Sequence, residues 1–231
     1  VRGGAREGAG ARQGGGGARE VEAGGRPGPG IEGVRARQAG HVVGLSDVLF
    51  GRKKLKGPAR DRLFALTTAA VSLDMDCGLK PAGVGAVVFK PLSAGEFAQV
   101  DKDVEELLAS VAASSGSTLE RKADTFGFQW VIVRDPDLED QVTAVYAVGK
   151  EFTERGFGAQ LLAAPFRFEG GSHPVYWIYG FKTGTFWPFV PTGEKQERDN
   201  PRELQLKAQL EKELPVEPDL TKWFGLFDAP I

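Results

Sequence analysis

Two hydrophobic patterns alternate along this chain, one recurring every three to four residues and one made of short runs rich in β-branched and aromatic residues. In residues 44–51, Leu45, Val48, Leu49 and Phe50 stand at helical spacing before a glycine, which predicts a short helix. A basic connector with Arg52, Lys53, Lys54 and Lys56 follows, and then a helical turn over 61–66. Residues 69–75 and 84–90 are β-prone runs separated by Gly78, Pro81 and Gly83, predicting a strand pair with a loose turn. Ser93 with Glu96 has capping-box spacing, and Phe97, Val100, Val104, Leu107, Leu108 and Val111 make the clearest amphipathic helix, ended by the Ser/Gly cluster at 114–117. Residues 119–124 and 126–133 predict two further strands. Leu138, Val142, Val145, Tyr146 and Phe152 predict a second long helix, stopping at Gly156. Residues 159–168 and 175–181 predict a hairpin, followed by a short run at 185–189, a third helix over 201–214 and a last element over 219–224 carrying Trp223.

Strand pairs separated by single helices predict recurring β-β-α units, and adjacent strands favour antiparallel pairing with helices on one face. The expected class is therefore α+β, with an antiparallel or mixed sheet and helices packed on one face. The aromatic run Tyr176, Trp177, Tyr179, Phe181, Phe186, Trp187 and Phe189 reads mainly as core. Alternation also places part of it on the opposite face, where it would serve a partner-binding surface.

The pattern fails in residues 1–42. The first 40 residues hold 14 Gly and seven Arg, with no Lys and no aromatic residue. Such a stretch cannot offset its ordering entropy by burying apolar surface, so it is expected to be disordered, leaving one α+β domain over 43–231. Its composition is that of GC-rich DNA read without selection for protein. The preferred reading is a start placed too early, with Val42 or Val43 as the initiator; the competing one is a flexible basic tail, which lacks the interleaved Phe or Tyr of an RNA-binding arm.

Composition narrows the function classes. The 231 residues carry a net charge of −2, with a pI of about 5.9, so no overall basic field favours nucleic acid. A single cysteine excludes an internal disulfide framework and fits a reducing compartment. No apolar run approaches bilayer-spanning length.

Catalytic chemistry finds little support. Cys77 has His173 as its one credible nucleophile partner, Asp74 and Asp76 read as solvated carboxylates at a strand end, and Glu105 and Glu106 read as the solvated side of a helix. Gly83-Val84-Gly85 is too short for a dinucleotide fingerprint. No catalytic residue, metal or cofactor is expected. Leu45, Leu49, Phe50, Lys53 and Lys54 suit either a helix packed on the domain or contact with an anionic membrane, and Trp187 suits a partner contact.

From Gly44 onward the chain resembles the PspA-associated protein family PspAB, companions of the phage-shock protein A membrane-stress system. The residues that carry the resemblance are Gly44 to Arg52, Gly184-Thr185-Phe186-Trp187-Pro188-Phe189-Val190-Pro191, Arg198-Asp199-Asn200 with Glu203-Leu204, and Pro215 to Leu220 leading to Trp223-Phe224. Tyr often stands in the family where Trp187 stands here. The resemblance implies a cytoplasmic, non-enzymatic accessory or regulatory protein of the envelope-stress response. Its implied partner is a PspA-like protein or another envelope-stress component, with peripheral contact at the inner face of the membrane and no nucleic acid. Within its motif Asp199 or Asn200 can cap the helix that begins near Pro201, and Asp219 can cap the last element, so Arg198, Asp199, Asn200, Asp219 and Trp223 read as structural. The reading from another class is a small-molecule-binding or hydrolytic enzyme. Its site would be assembled from distant residues, such as a deep polar pocket gathering His173, Arg198 and Asp199.

Overall fold

The computed structural model describes residues 59–90, 105–114, 116–193 and 196–231. The expectations for the 1–42 segment, the 44–51 helix, Leu45, Leu49, Phe50, Lys53 and Lys54, and the first half of the helix opening at Ser93 lie outside the described residues.

Six strands, β1 (Lys80–Phe89), β2 (Thr118–Ala123), β3 (Gln129–Arg134), β4 (Leu161–Glu169), β5 (Val175–Gly180) and β6 (Thr185–Phe189), form one antiparallel sheet in the order β2-β3-β1-β4-β5-β6. After a 3-10 turn at Ala59–Phe64 come α1 (Ala65–Thr68) and α2 (Ala70–Met75). Helix α3 covers residues 105–114, α4 is Leu138–Glu154 and α5 is Asn200–Leu210. The class is α+β, as the pattern predicts.

Strand alternation sends every second side chain to the same face. Val87, Phe89, Val131, Val133, Phe166, Phe168, Trp177 and Tyr179 form a single core with Leu66, Leu73, Leu107, Val142, Val148, Leu206 and Leu210 of the helices, which therefore share this inner face. Helix α4 starts where the Asp137 carboxylate accepts from Glu139 N at 2.7 Å and ends before Gly156, whose φ of 89° suits glycine. The intervening residues Val84, Ala86, Val88, Trp130 and Ile132, with Tyr176, Ile178, Trp187 and Phe189, look to the outer face.

Two expectations are corrected. Residues 69–75 do not pair with β1; residues 70–75 form α2. A strand would send Val71, Leu73 and Met75 to one face, yet Leu73 is fully buried while Val71 and Met75 are 71% and 78% exposed. Leu66, Ala69, Leu73 and Cys77, all buried, instead follow the helical period. The β-β-α recurrence thus runs through β2-β3-α4 and, with one strand more, β4-β5-β6-α5, while β1 stands alone before α3. Second, the outer aromatic face is not an open surface. Trp223, Val216, Leu226, Phe227 and Ile231 of the C-terminal segment pack over it.

The β4–β5 turn lies against the end of α2, where Gly170 (φ 142°) passes so close to Gly78 that an added Cβ would overlap the Gly78 carbonyl oxygen. Gly170→Ala is expected to lower the unfolding free energy by more than about 2 kcal/mol, measured by urea denaturation, through backbone strain and this overlap.

Candidate functional site

Residues 215–231 have little regular structure, so their attachment must come from individual bonds. Val216 forms a parallel bridge with Phe186, as Phe186 N donates to Pro215 O and Glu217 N to Phe186 O. The segment then crosses the outer face. Tyr176 Oη donates to Ile231 O at 3.0 Å, Trp187 Nε1 to Phe224 O at 3.0 Å and Trp223 Nε1 to Glu217 O at 3.0 Å. Each aromatic thus buries its ring and satisfies a tail carbonyl with its polar end.

The strongest fastening is an ionic clasp. Glu203 sits on the same stripe of α5 as Leu206 and Leu210 and is 2% exposed. Its Oε1 accepts from Val190 N at 2.8 Å and from Arg198 Nε at 2.9 Å. Arg198 Nη2 also approaches Oε2 at 2.8 Å as an ion pair without good hydrogen-bond geometry. Arg198 Nη1 donates to Trp223 O at 2.8 Å, and the guanidinium lies 5.2 Å from the centre of the Phe189 ring. One pair therefore joins α5, the end of β6 and the tail. Burial pushes the Glu203 carboxyl above its ordinary range, against the opposing pull of Arg198 and the Val190 amide.

The rest of the motif surrounds this clasp. The Asp199 carboxylate accepts from Arg202 N at 2.9 Å and caps α5, with Pro201 in its first turn. Asp219 accepts from Thr221 N and Oγ1, which holds its carboxyl below the usual range. Asn200 lines a cavity of about 130 Å³ with Arg198, Glu203, Leu204, Leu220 and Trp223. His173 and Asp199 are not among its walls. Cys77 donates to Gln209 Oε1 at 3.6 Å, and burial pushes its thiol up, the reverse of nucleophile activation. Asp74 and Asp76 lie exposed at the end of α2 and beyond it, not on a strand. No His/Cys/Asp/Glu cluster among the described residues is arranged to hold a metal.

A larger cavity, about 540 Å³, opens where the tail leaves the sheet. Its floor is made by small residues: Ala163 faces Gly180 across the β4–β5 pair, beneath the Trp187 ring. A β-bulge falls at the same place. Phe89 pairs with Leu161 but Val88 pairs with Ala163, so Leu162 is an extra residue, and both Leu162 and Ala163 line the cavity. Phe128, Phe224 and Leu226 continue the apolar wall, and Lys90, Lys182 and Lys222 line it too.

Trp187 is buried beneath the tail, where it lines this cavity. Sequence reasoning misses the cavity and the buried role of Glu203. The second was readable, since Glu203 precedes Leu206 by three residues and Leu210 by seven on an otherwise apolar stripe. The cavity had no such signal, because its parts come from strand ends and the tail.

The family model described as PspA associated protein B, PspAB, matches residues 43–231, most of the chain. Comparison with curated proteins and with solved structures returns no match.

Removing one partner of a buried pair leaves an uncompensated charge, so Glu203→Ala is expected to cost about 3–5 kcal/mol in urea unfolding. The raised pKa of Glu203 gives a second outcome. The wild type gains stability relative to Glu203→Gln as pH falls through the folded-state pKa, and the difference levels off below the ordinary carboxylate range.

Proposed function

This chain belongs to the PspAB family, and from that membership we propose that it is a non-enzymatic accessory protein of the PspA envelope-stress response, acting by binding a protein partner. The family description names association with PspA, which supports a PspA-like protein or another component of the same response as that partner. The structural observation that carries the reading is an exposed apolar patch held by the clasp. Leu204 and Leu220 are 46% and 49% exposed and flank the small cavity over Arg198, with Trp223 in its wall.

Large aliphatic and aromatic side chains around a fixed aromatic floor suit insertion of a partner's apolar residue. The motif's charged groups serve the fold beneath: Arg198 and Glu203 bond each other and the tail, and Asp199 and Asp219 cap backbone. The motif therefore acts as the support of a contact surface. The same reading places the protein in the cytoplasm, with peripheral contact at the inner face of the membrane through Leu45, Leu49, Phe50, Lys53 and Lys54. No helix among the described residues is long and apolar enough to cross a membrane.

Titration of the full chain against purified PspA from the same organism tests this. Wild type is expected to bind, and the double variant Leu204→Glu/Leu220→Glu to bind at least about tenfold more weakly with an unchanged melting midpoint, a loss of about 1.4 kcal/mol. Absence of wild-type binding, or full binding by the variant, would overturn the reading.

A further inference from the structure

We propose that the cavity between the outer face of the sheet and the C-terminal segment binds a single-chain anionic amphiphile, a fatty-acid-like carboxylate. The hydrocarbon chain lies against Val88, Leu162, Ala163, Trp187 and Leu226, and the carboxylate meets Lys90 and Lys182. This goes beyond the partner reading, which rests on a different surface.

Size and lining argue for a ligand. A volume of about 540 Å³ falls within the range of roughly 300–1,000 Å³ usual for small-molecule sites, and its walls are mostly apolar. The space is also built. A side chain larger than Ala163 would occupy the floor, and a Cβ at Gly180 would meet Thr183 Oγ1 at 2.8 Å and Trp187 Cζ3 at 3.0 Å. The bulge at Leu162 turns one more residue toward the same space, the kind of re-aiming that bulges provide beside functional sites.

Charge selects the ligand's sign. Two carboxylates line the cavity, but both bond inward. Asp124 accepts from Phe126 N, Phe128 N and Trp130 Nε1, and Glu217 accepts from Asp219 N and Thr185 Oγ1. Lys222 is shared between Glu217 and Asp219 at 3.8 and 3.6 Å. Lys90 and Lys182 are exposed, and neither ammonium group has a hydrogen-bond or ion-pair partner among the described residues. They follow β1 and β5, which run in the same direction, so both stand at one end of the sheet. An apolar pocket with two lysine ammonium groups in its lining complements an anionic head and a hydrocarbon tail, whereas a cationic amphiphile would meet like charge. Lysine stems also extend apolar wall toward the mouth.

The test uses the full chain and three ligands with the same chain length, below their micellar concentrations: laurate, methyl laurate and dodecyltrimethylammonium. Calorimetry, with intrinsic tryptophan fluorescence as a second readout, is expected to give saturable laurate binding at least about tenfold tighter than dodecyltrimethylammonium. Ala163→Leu is expected to weaken laurate and methyl laurate alike. Lys90→Glu/Lys182→Glu is expected to weaken laurate by about tenfold while leaving methyl laurate unchanged. Should Ala163→Leu unfold, Thr183→Trp, at an exposed position of the mouth, makes the same obstruction without touching the core. Laurate binding no tighter than the cationic ligand, or binding unaffected by Ala163→Leu and Thr183→Trp, would overturn the proposal. Failure of either result leaves the Leu204/Leu220 titration untouched, because those residues are not walls of this cavity.

Discussion

The Arg198–Glu203 pair is the constraint on which the outer half of this protein depends. Burying a carboxylate and a guanidinium is costly, and the attraction between them offsets that cost only when the remaining hydrogen-bonding capacity is filled. Here it is filled largely by groups from other elements: the Val190 amide after β6 and the Trp223 carbonyl of the tail. The geometry is met in one arrangement of α5, β6 and tail, so the pair specifies that arrangement even where a hydrophobic substitute could match its net stability. The raised carboxyl pKa expresses the same fact, since desolvation outweighs pairing.

Both faces of this antiparallel sheet are apolar, so both need cover, and they receive it in two different ways. Helices satisfy their own backbone and can press an apolar stripe on the inner face, forming one continuous core. The tail has few internal backbone bonds, so each carbonyl it lays on the sheet requires a donor from below. Tyr176, Trp187 and Arg198 supply donors from the sheet side, and Trp223 supplies one from within the tail. A cover fixed at separate points leaves gaps between them, and the larger cavity is such a gap. The small residues Ala163 and Gly180 and the bulge at Leu162 enlarge it where the tail turns away.

This contrast explains what could be read in the sequence. Helix α4 and the β4–β5 hairpin were legible because period, cap and turn residues agree within each segment. The 70–75 helix was not, since an Ala/Val/Ser-rich stretch of six residues carries little period of its own and is decided by the burial of Leu66, Ala69, Leu73 and Cys77 against α4, β1 and α5. The outer aromatic face was legible as a face, but its cover was not. Residues 215–231 lack a sustained helical or strand period, and their role lies in single bonds to residues 25 to 55 positions away, for which a local pattern holds no trace. The cavity inherits the same opacity.

The sheet edges are poorly suited to contact by strand addition. An open edge offers unpaired amides and carbonyls to another strand. Edge strand β2 carries Glu120, Arg121 and Lys122, with an ion pair between Glu120 and Lys122 at 2.9 Å, so an apolar strand gains little by adding there. Edge strand β6 contains Pro188, which removes a donor, and residues 215–217 occupy the Phe186 backbone groups through the Val216 bridge. Strand addition is thus opposed by charge at one edge and by prior pairing at the other. Side-chain recognition finds shaped apolar surface at the Leu204–Leu220 patch and at the cavity under Phe224 and Leu226. Both are bounded by the tail, and the tail is held by the clasp.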